Sequence, residues 1–506
     1  MNRLLAATVL EARVELRYGI VPTAAALGAL WTLVLVAVPA EAAGAVAPYL
    51  LFVDTAAFGV LVAAALLLFE RTEGSRQALA ASPLRSGEGV AAKLSVLTAL
   101  SLVIAVPMAV AAVRDRLPDA LWALAPALAG VALTSLLLLT LCLAVGARAR
   151  DLSGFLLAAP PAVAPLIIVP LVHISGVFEH PLMYMVPTTV GADLIRWGIS
   201  PGSVDTGPLA LFAGVPYALL WAAAGAVAAR RAVERGADSV PPPPTGRGTA
   251  ARTPAVGRGL LPAVVRFARI DLLGTGRDPL LLLMLCAPVL LALVVRFAFP
   301  AAADLLRNSY GFDLVPHAPV VLAVLVLLHV PMMFGVVGGL RAIEDTDENI
   351  LLVLRVSPLS LPAYLAYRMA VATALTLVGL AVALPLSGLM AGGWSGRLAV
   401  ALLLAAIQAP LLLTGMTALA ANKVEALLVV KGIGAVMALA PVAVWVLPGP
   451  WNLLLLPLPP VWPALALPGY TSGPLGTWAL MSGGLLVTAV AVAALLRRTV
   501  NRIDRG

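Results

Sequence analysis

The chain has 506 residues, 61% hydrophobic and only 11% charged; its 33 Lys and Arg against 25 Asp and Glu give a formal net charge of +8. A water-soluble protein of this length needs a charged surface that this composition, with a mean hydropathy of +1.01, cannot supply, so lipid is its main solvent. The two cysteines, Cys142 and Cys286, both sit in apolar runs and offer no disulfide framework.

In chain order, the N-terminal stretch MNRLLAATVLEARVELRYG has no cleavage-type signal. Its interspersed acids and arginines predict an interfacial helix. An apolar run of about 20 residues crosses a bilayer as a helix. Such runs predict spans near 20–39, 47–69, 94–112, 120–146, 155–173 and 208–229. Six more follow, near 279–299, 318–340, 369–390, 398–420, 427–447 and 475–496. The predicted fold class is therefore an all-α polytopic membrane protein of about twelve spans. Basic residues orient it. With the N-terminus inside, only six of the 33 Lys and Arg fall outside: Arg114, Arg116, Arg196, Arg296, Arg307 and Arg397. The net positive charge is thus a topology signal, and nucleic-acid binding is not implied.

Two outer loops, 174–207 and 448–474, are unusual. The second has no charge and many prolines. It predicts short helices dipping into the outer leaflet, with Trp451 and Trp462 at the interface. Prolines at 160, 161, 165, 170, 331, 410 and 441 lie within spans and predict kinks.

The chain also repeats itself. FERTEGSRQALAASPLRSGEGVAAK (69–93) and EDTDENILLVLRVSPLSLPAYLAYR (344–368) both follow an apolar run, open with acids, reach Ser-Pro-Leu and end on a base. A shift of 275 lays Glu70 on Asp345, Glu73 on Glu348, Ser82-Pro83-Leu84 on Ser357-Pro358-Leu359, and Lys93 on Arg368. Six spans per unit is an even number, so both units point the same way, as a parallel repeat. The expected organisation is a first six-span unit over 1–232 and a second over 260–506. The joint, 233–259, holds four consecutive prolines, Pro241 to Pro244, and predicts a flexible cytoplasmic tether.

Enzyme motifs are missing. No Gly-Lys-Ser/Thr phosphate loop and no His-Glu-x-x-His occurs, and His173, His180, His317 and His329 lack metal-ligand spacing. The chain is expected to be no enzyme and to bind no cofactor or metal itself.

Six spans, an amphipathic N-terminal helix, and an acidic segment after the second span leading to Ser-Pro-Leu and a base resemble the permeases of ABC-2 type exporters. Within that family the chain is most similar to the permeases for fluoroquinolone or other drug export in actinobacteria, with two of them fused. The resemblance implies that segments 69–93 and 344–368 dock on two copies of a separate nucleotide-binding ATPase subunit, which carries the ATP and Mg. The coupling residues are then Glu70, Glu73, Ser82, Pro83, Leu84, Asp345, Glu348, Ser357, Pro358 and Leu359. It further implies a bacterial plasma (inner) membrane location, cytoplasmic termini, and a small-molecule substrate.

Ionisable groups inside spans suggest the path, because each costs roughly 2.5–3.5 kcal/mol at mid-bilayer and faces protein or a wet cavity. Asp54 precedes Glu70 by 16 residues, which at about 1.5 Å per residue places it roughly 24 Å above the inner edge. The shift of 275 gives it His329 as counterpart. Gln408 and Thr414 are further path candidates. A secondary carrier with two parallel six-helix halves would share this topology without needing an ATPase.

Overall fold

The computed structural model describes residues 3–72, 84–117, 122, 124–149, 152–203, 208–238, 265, 268–269, 279–347, 360–390, 392–420, 422–447, 451–470 and 476–503. These residues are almost entirely helical and include no strand. Ten helices among them are long and apolar enough to cross a membrane. The expected spans 47–69 and 208–229 are not among those ten, although both fall within long helices. The chain divides into two compact units, Met1–Arg247 and Gly248–Gly506.

In the first unit, α1 (Arg3–Arg17) turns into α2 (Ile20–Ala37) at Gly19, whose φ of 73° suits a residue without a Cβ. Next come α3 (Ala40–Thr72), α4 (Ser86–Ala112), α5 (Leu124–Arg148) and α6 (Leu152–Ile174). A short helix, α7 (Thr188–Ile199), precedes α8 (Pro208–Asp238). Thus α8 continues helically into the stretch expected to begin the tether; the rest of the tether's 233–259 lies outside the described residues.

At the centre of this unit is α5, in contact with α3, α4, α6, α7 and α8. Its small and hydroxyl residues let neighbours approach. A Cβ on Gly130 would meet the Gly191 carbonyl of α7, and one on Gly225 of α8 would meet Thr140. Ser101 of α4 and Ser135 of α5 share a hydrogen bond of 3.0 Å. In lipid, such close approach replaces the hydrophobic effect as the force between helices.

The second unit contains α9 (Pro279–Tyr310), α10 (Ala318–Leu322), α11 (His329–Asp347) and α12 (Leu361–Leu386). It continues through α13 (Gly396–Ala406), α14 (Gln408–Leu419), α15 (Lys423–Val446), α16 (Val461–Ala466) and α17 (Thr477–Ile503). Two expected single spans are interrupted. A π-helical turn, Ala323–Leu327, separates α10 from α11 just before Pro331. The helix also breaks at Ile407, three residues before Pro410. Each proline lacks the N–H that would continue the ladder. Pro160, Pro161, Pro165, Pro170 and Pro441 stay inside continuous helices.

Here α14 takes the central place, against α11, α12, α15 and α17. Gly335, Gly338 and Gly339 of α11 admit it; a Cβ on Gly335 would stand 2.8 Å from the Ala409 carbonyl. The fourth long segment is therefore the hub of both units, and these two are the most enclosed of the candidate spans, at 67% and 83% buried. Peripheral helices instead expose apolar residues to lipid, such as Leu285, Leu290, Val294 and Phe297 on α9.

One expectation is overturned in the proline-rich stretch before α17. Trp462 does not sit at an interface. It is buried, packs on Gly483 and Gly484 of α17, and its indole N–H donates to the Leu456 carbonyl at 2.8 Å. The described part of that stretch, 451–470, buries Val461, Trp462, Ala464 and Leu467 in its own unit and leaves Leu453 and Leu454 exposed. The side chain of Trp451 lies outside the described set.

Candidate functional site

The repeated base marks equivalent places in the two units. α4 begins at Ser86 and α12 at Leu361, 275 residues on, so Lys93 and Arg368 occupy the same register near the start of each unit's third span. Both side chains are buried at 8% exposure, and each is held by a carboxylate.

In the first unit, Lys93 Nζ donates to Glu11 Oε1 of α1 at 2.6 Å. Glu15, one turn further along α1, is fully buried, and neither of its oxygens has a hydrogen-bond partner among the described residues. The exit of segment 69–93 is tied down as well. The Arg85 N–H donates to Glu88 Oε2 at 2.9 Å, which satisfies one N-terminal donor of α4. Ser86 Oγ donates to Glu234 Oε1 of α8 at 3.1 Å, and Arg230 pairs with the same carboxylate at 2.8 Å. That bond to Arg230 holds the Glu234 carboxyl below its ordinary range. Leu84 is half-buried beside Gly89, where it works as the apolar residue packed back on the first turn of α4.

In the second unit, Arg368 Nη2 donates to Asp345 Oδ2 of α11 at 2.7 Å, and its Nε donates to the Tyr364 hydroxyl at 3.3 Å. That hydroxyl in turn donates to the same Asp345 oxygen. Asp345 and Arg368 flank the segment 346–367, so this cluster closes the base of that segment. Asp345 was singled out in the sequence for docking; its carboxylate is engaged inside the unit.

Of the other predicted coupling residues, Glu70 lies in the last turn of α3, with its side chain outside the described set. Glu73, Ser82, Pro83, Glu348, Ser357, Pro358 and Leu359 lie outside the described residues altogether.

The path candidates are dispersed. Asp54 is buried within the first unit. His329 is half-buried at the first position of α11, directly after the π-helical turn, a distortion frequent at functional sites. Gln408 is fully buried, with Nε2 donating to the Leu404 carbonyl at 3.0 Å and contacting Thr488 Oγ1 at 3.4 Å. Thr414 is fully buried and returns its hydroxyl to the Pro410 carbonyl at 2.7 Å. Those last two contacts stay on the helix itself or bridge α14 to α17, a structural use of polar groups in spans.

Two features escaped the sequence. The first is a buried cluster in which Asp193 Oδ2 of α7 lies 3.2 Å from His173 Nε2 and accepts from the Tyr184 hydroxyl at 2.6 Å, anchoring α7 to α6. The second concerns the six arginines predicted outside. Arg114 donates to the Leu35 and Val38 carbonyls at the end of α2, at 2.7 and 2.5 Å. Arg116 donates to Ile199 at the end of α7, Arg397 to Leu465 in the last turn of α16, and Arg296 to Leu386 at the end of α12. Helix C-termini leave carbonyls unsatisfied and carry partial negative charge, so an arginine there answers both. These four exceptions to the charge asymmetry are helix caps. Their partners lie dozens of residues away, so no local pattern announces them.

Comparison with known proteins assigns both halves. A family model described as the fluoroquinolones export permease protein family matches residues 2–236. A second, described as fluoroquinolones export permease protein Rv2686c-like, matches residues 271–496. Fluoroquinolones export permease protein Rv2686c of Mycobacterium tuberculosis (strain ATCC 25618 / H37Rv) is 32% identical over 237 residues, 47% of this chain and 93% of the relative. Fluoroquinolones export permease protein Rv2687c of the same strain is 31% identical over 223 residues, 44% of this chain and 91% of the relative.

Proposed function

The chain belongs to the fluoroquinolones export permease family, and on that premise we propose that it is the transmembrane subunit of an ATP-driven ABC-2 type exporter, in which two permease units are fused. Membership already makes it a membrane-embedded permease of the drug-export class. The proposal adds the energy source. Two separately encoded ATPase subunits carry ATP and Mg, and each docks on one of the segments 69–93 and 344–368. The observation that carries this reading is the tandem match: 2–236 and 271–496 each fit a permease family model, whereas each relative spans about half of this chain.

The physical support is the way the two segments are held. A coupling segment must pass force into the spans, and force passes only through stiff attachments. At the exit of 69–93, α4 is linked to α1 by Lys93–Glu11 and to α8 by Ser86–Glu234. At the base of 344–368, Asp345 clasps Arg368 and Tyr364. The substrate class carried over from the relatives is fluoroquinolones and similar amphipathic drugs. The membrane is the bacterial inner membrane, with both termini and both segments on the cytoplasmic side.

The test is reconstitution of the chain with its ATPase subunit in liposomes, following ATP hydrolysis with and without a fluoroquinolone. Drug-stimulated hydrolysis is expected in the wild type. The double variant Glu73→Lys/Glu348→Lys should fall to the unstimulated rate while its thermal unfolding stays unchanged. Undiminished stimulation in that variant counts against docking through these segments. Drug transport driven by an ion gradient, with no ATPase bound, would replace the reading with the secondary-carrier one.

A further inference from the structure

The first helix is docked by the wrong face for an ordinary amphipathic helix. Leu4, Leu5, Val9, Leu10 and Leu16 of α1 are exposed, while Glu15 is fully buried and Glu11 is partly buried. The attachment is polar: Glu11 holds Lys93 at 2.6 Å. Glu15 then has no donor among the described residues for either oxygen.

A carboxylate removed from water without donors is strongly disfavoured, and in practice such a group takes up a proton. Among the described residues, α1 packs chiefly against α4 and α2. The ionisable groups of α4 are Glu88 and Lys93, and α2 has none. Glu88 is engaged with the Arg85 N–H, and Lys93 with Glu11. On α1 itself, Arg3, Arg13 and Arg17 are exposed. With Lys93 held by Glu11, Glu15 keeps no N–H or O–H donor among the described residues, the setting in which a buried carboxyl retains its proton. A metal ion is a poor alternative, since hard cations need several oxygen ligands. No group of three or more His, Cys, Asp or Glu suited to a metal gathers among the described residues.

We infer that Glu15 is a proton-binding site whose occupancy fixes α1 against α4. Burial, reinforced by Glu11 and opposed by Lys93, pushes its carboxyl from 4.5 up to about 8. The sign follows. When α1 is undocked, Glu15 meets water and titrates in the ordinary carboxylate range, so docking takes up a proton between pH 4.5 and about 8. Docking is strongest below that window, weakens as pH rises through it, and levels off above it. The interfacial helix thereby reports the pH on its own side of the membrane to the start of the third span.

Hydrogen exchange of the α1 amides tests this on the full chain in lipid nanodiscs between pH 6 and 9, corrected for intrinsic exchange rates. In the wild type, protection of residues 3–17 should fall about tenfold per pH unit up to pH 8. In Glu15→Gln, which keeps the shape and removes the charge, protection should stay flat and high. Wild-type protection that does not change with pH, or an equal fall in Glu15→Gln, would overturn the inference. An infrared titration of the wild type supplies a check that needs no variant. The carbonyl band of a protonated carboxylic acid should vanish near pH 8, and its absence at pH 7 also overturns the inference. Neither measurement involves an ATPase, so failure here leaves the exporter reading standing, and the reverse.

Discussion

Lys93 and Arg368 stand at one register of equivalent helices, yet the two units neutralise them differently. In the first, the base reaches sideways to Glu11 on α1. In the second, it reaches back to Asp345 on the preceding span and recruits Tyr364. A repeat can thus keep a buried base while changing what that base holds. The Asp345 cluster ties α11 to α12. In the first unit α4 is tied to α1 through Lys93 and to α8 through Ser86.

The sharpest way to break this comparison is to remove each base. Arg368→Met leaves Asp345 buried beside Tyr364 alone; breaking a buried pair in this way should destabilise the second unit by about 3–5 kcal/mol, measured by chemical unfolding in detergent. Lys93→Met should cost less, about 2 kcal/mol, because α1 packs chiefly on α4 among the described residues and can swing Glu11 into water. Its main effect should be faster hydrogen exchange in α1. Equal global losses from the two variants would mean that α1 is no peripheral attachment and that the units do not differ as argued.

A smaller effect sharpens the contrast between this side and the outer arginines. Arg114→Ala removes two donors from the carbonyl end of α2 and should cost about 1 kcal/mol in the same unfolding measurement. A loss as large as that of Arg368→Met would give the outer caps the same weight as the buried clasps.

Much of the architecture was legible. Hydropathy marked the spans because lipid imposes length and apolarity on each one independently. The repeat was legible because Ser-Pro-Leu and the following base keep their spacing, and the helix starts at Ser86 and Leu361 obey the same shift. What the sequence hid depends on pairing across distance. Glu11 lies 82 residues from Lys93, so its role appears only once α1 is laid along α4. Trp462 looked interfacial because a proline-broken apolar loop resembles a membrane-dipping one; the glycines of α17 that receive it come 21 and 22 residues later. Breaks at Ile407 and before His329 were signalled by Pro410 and Pro331, but the other five prolines singled out in the sequence stay inside continuous helices, because neighbouring packing can hold a helix continuous through a proline.

The central claim is that the two repeated segments lie on one side of the membrane, in units of like orientation. Single cysteines at Ser75 and Ser357, in a chain with Cys142 and Cys286 replaced by serine, test it through a membrane-impermeant maleimide on intact cells. Both positions should stay unlabelled until the cells are permeabilised and then label fully. Labelling of one position in intact cells and of the other only after permeabilisation would contradict the parallel repeat, and with it the two docking segments.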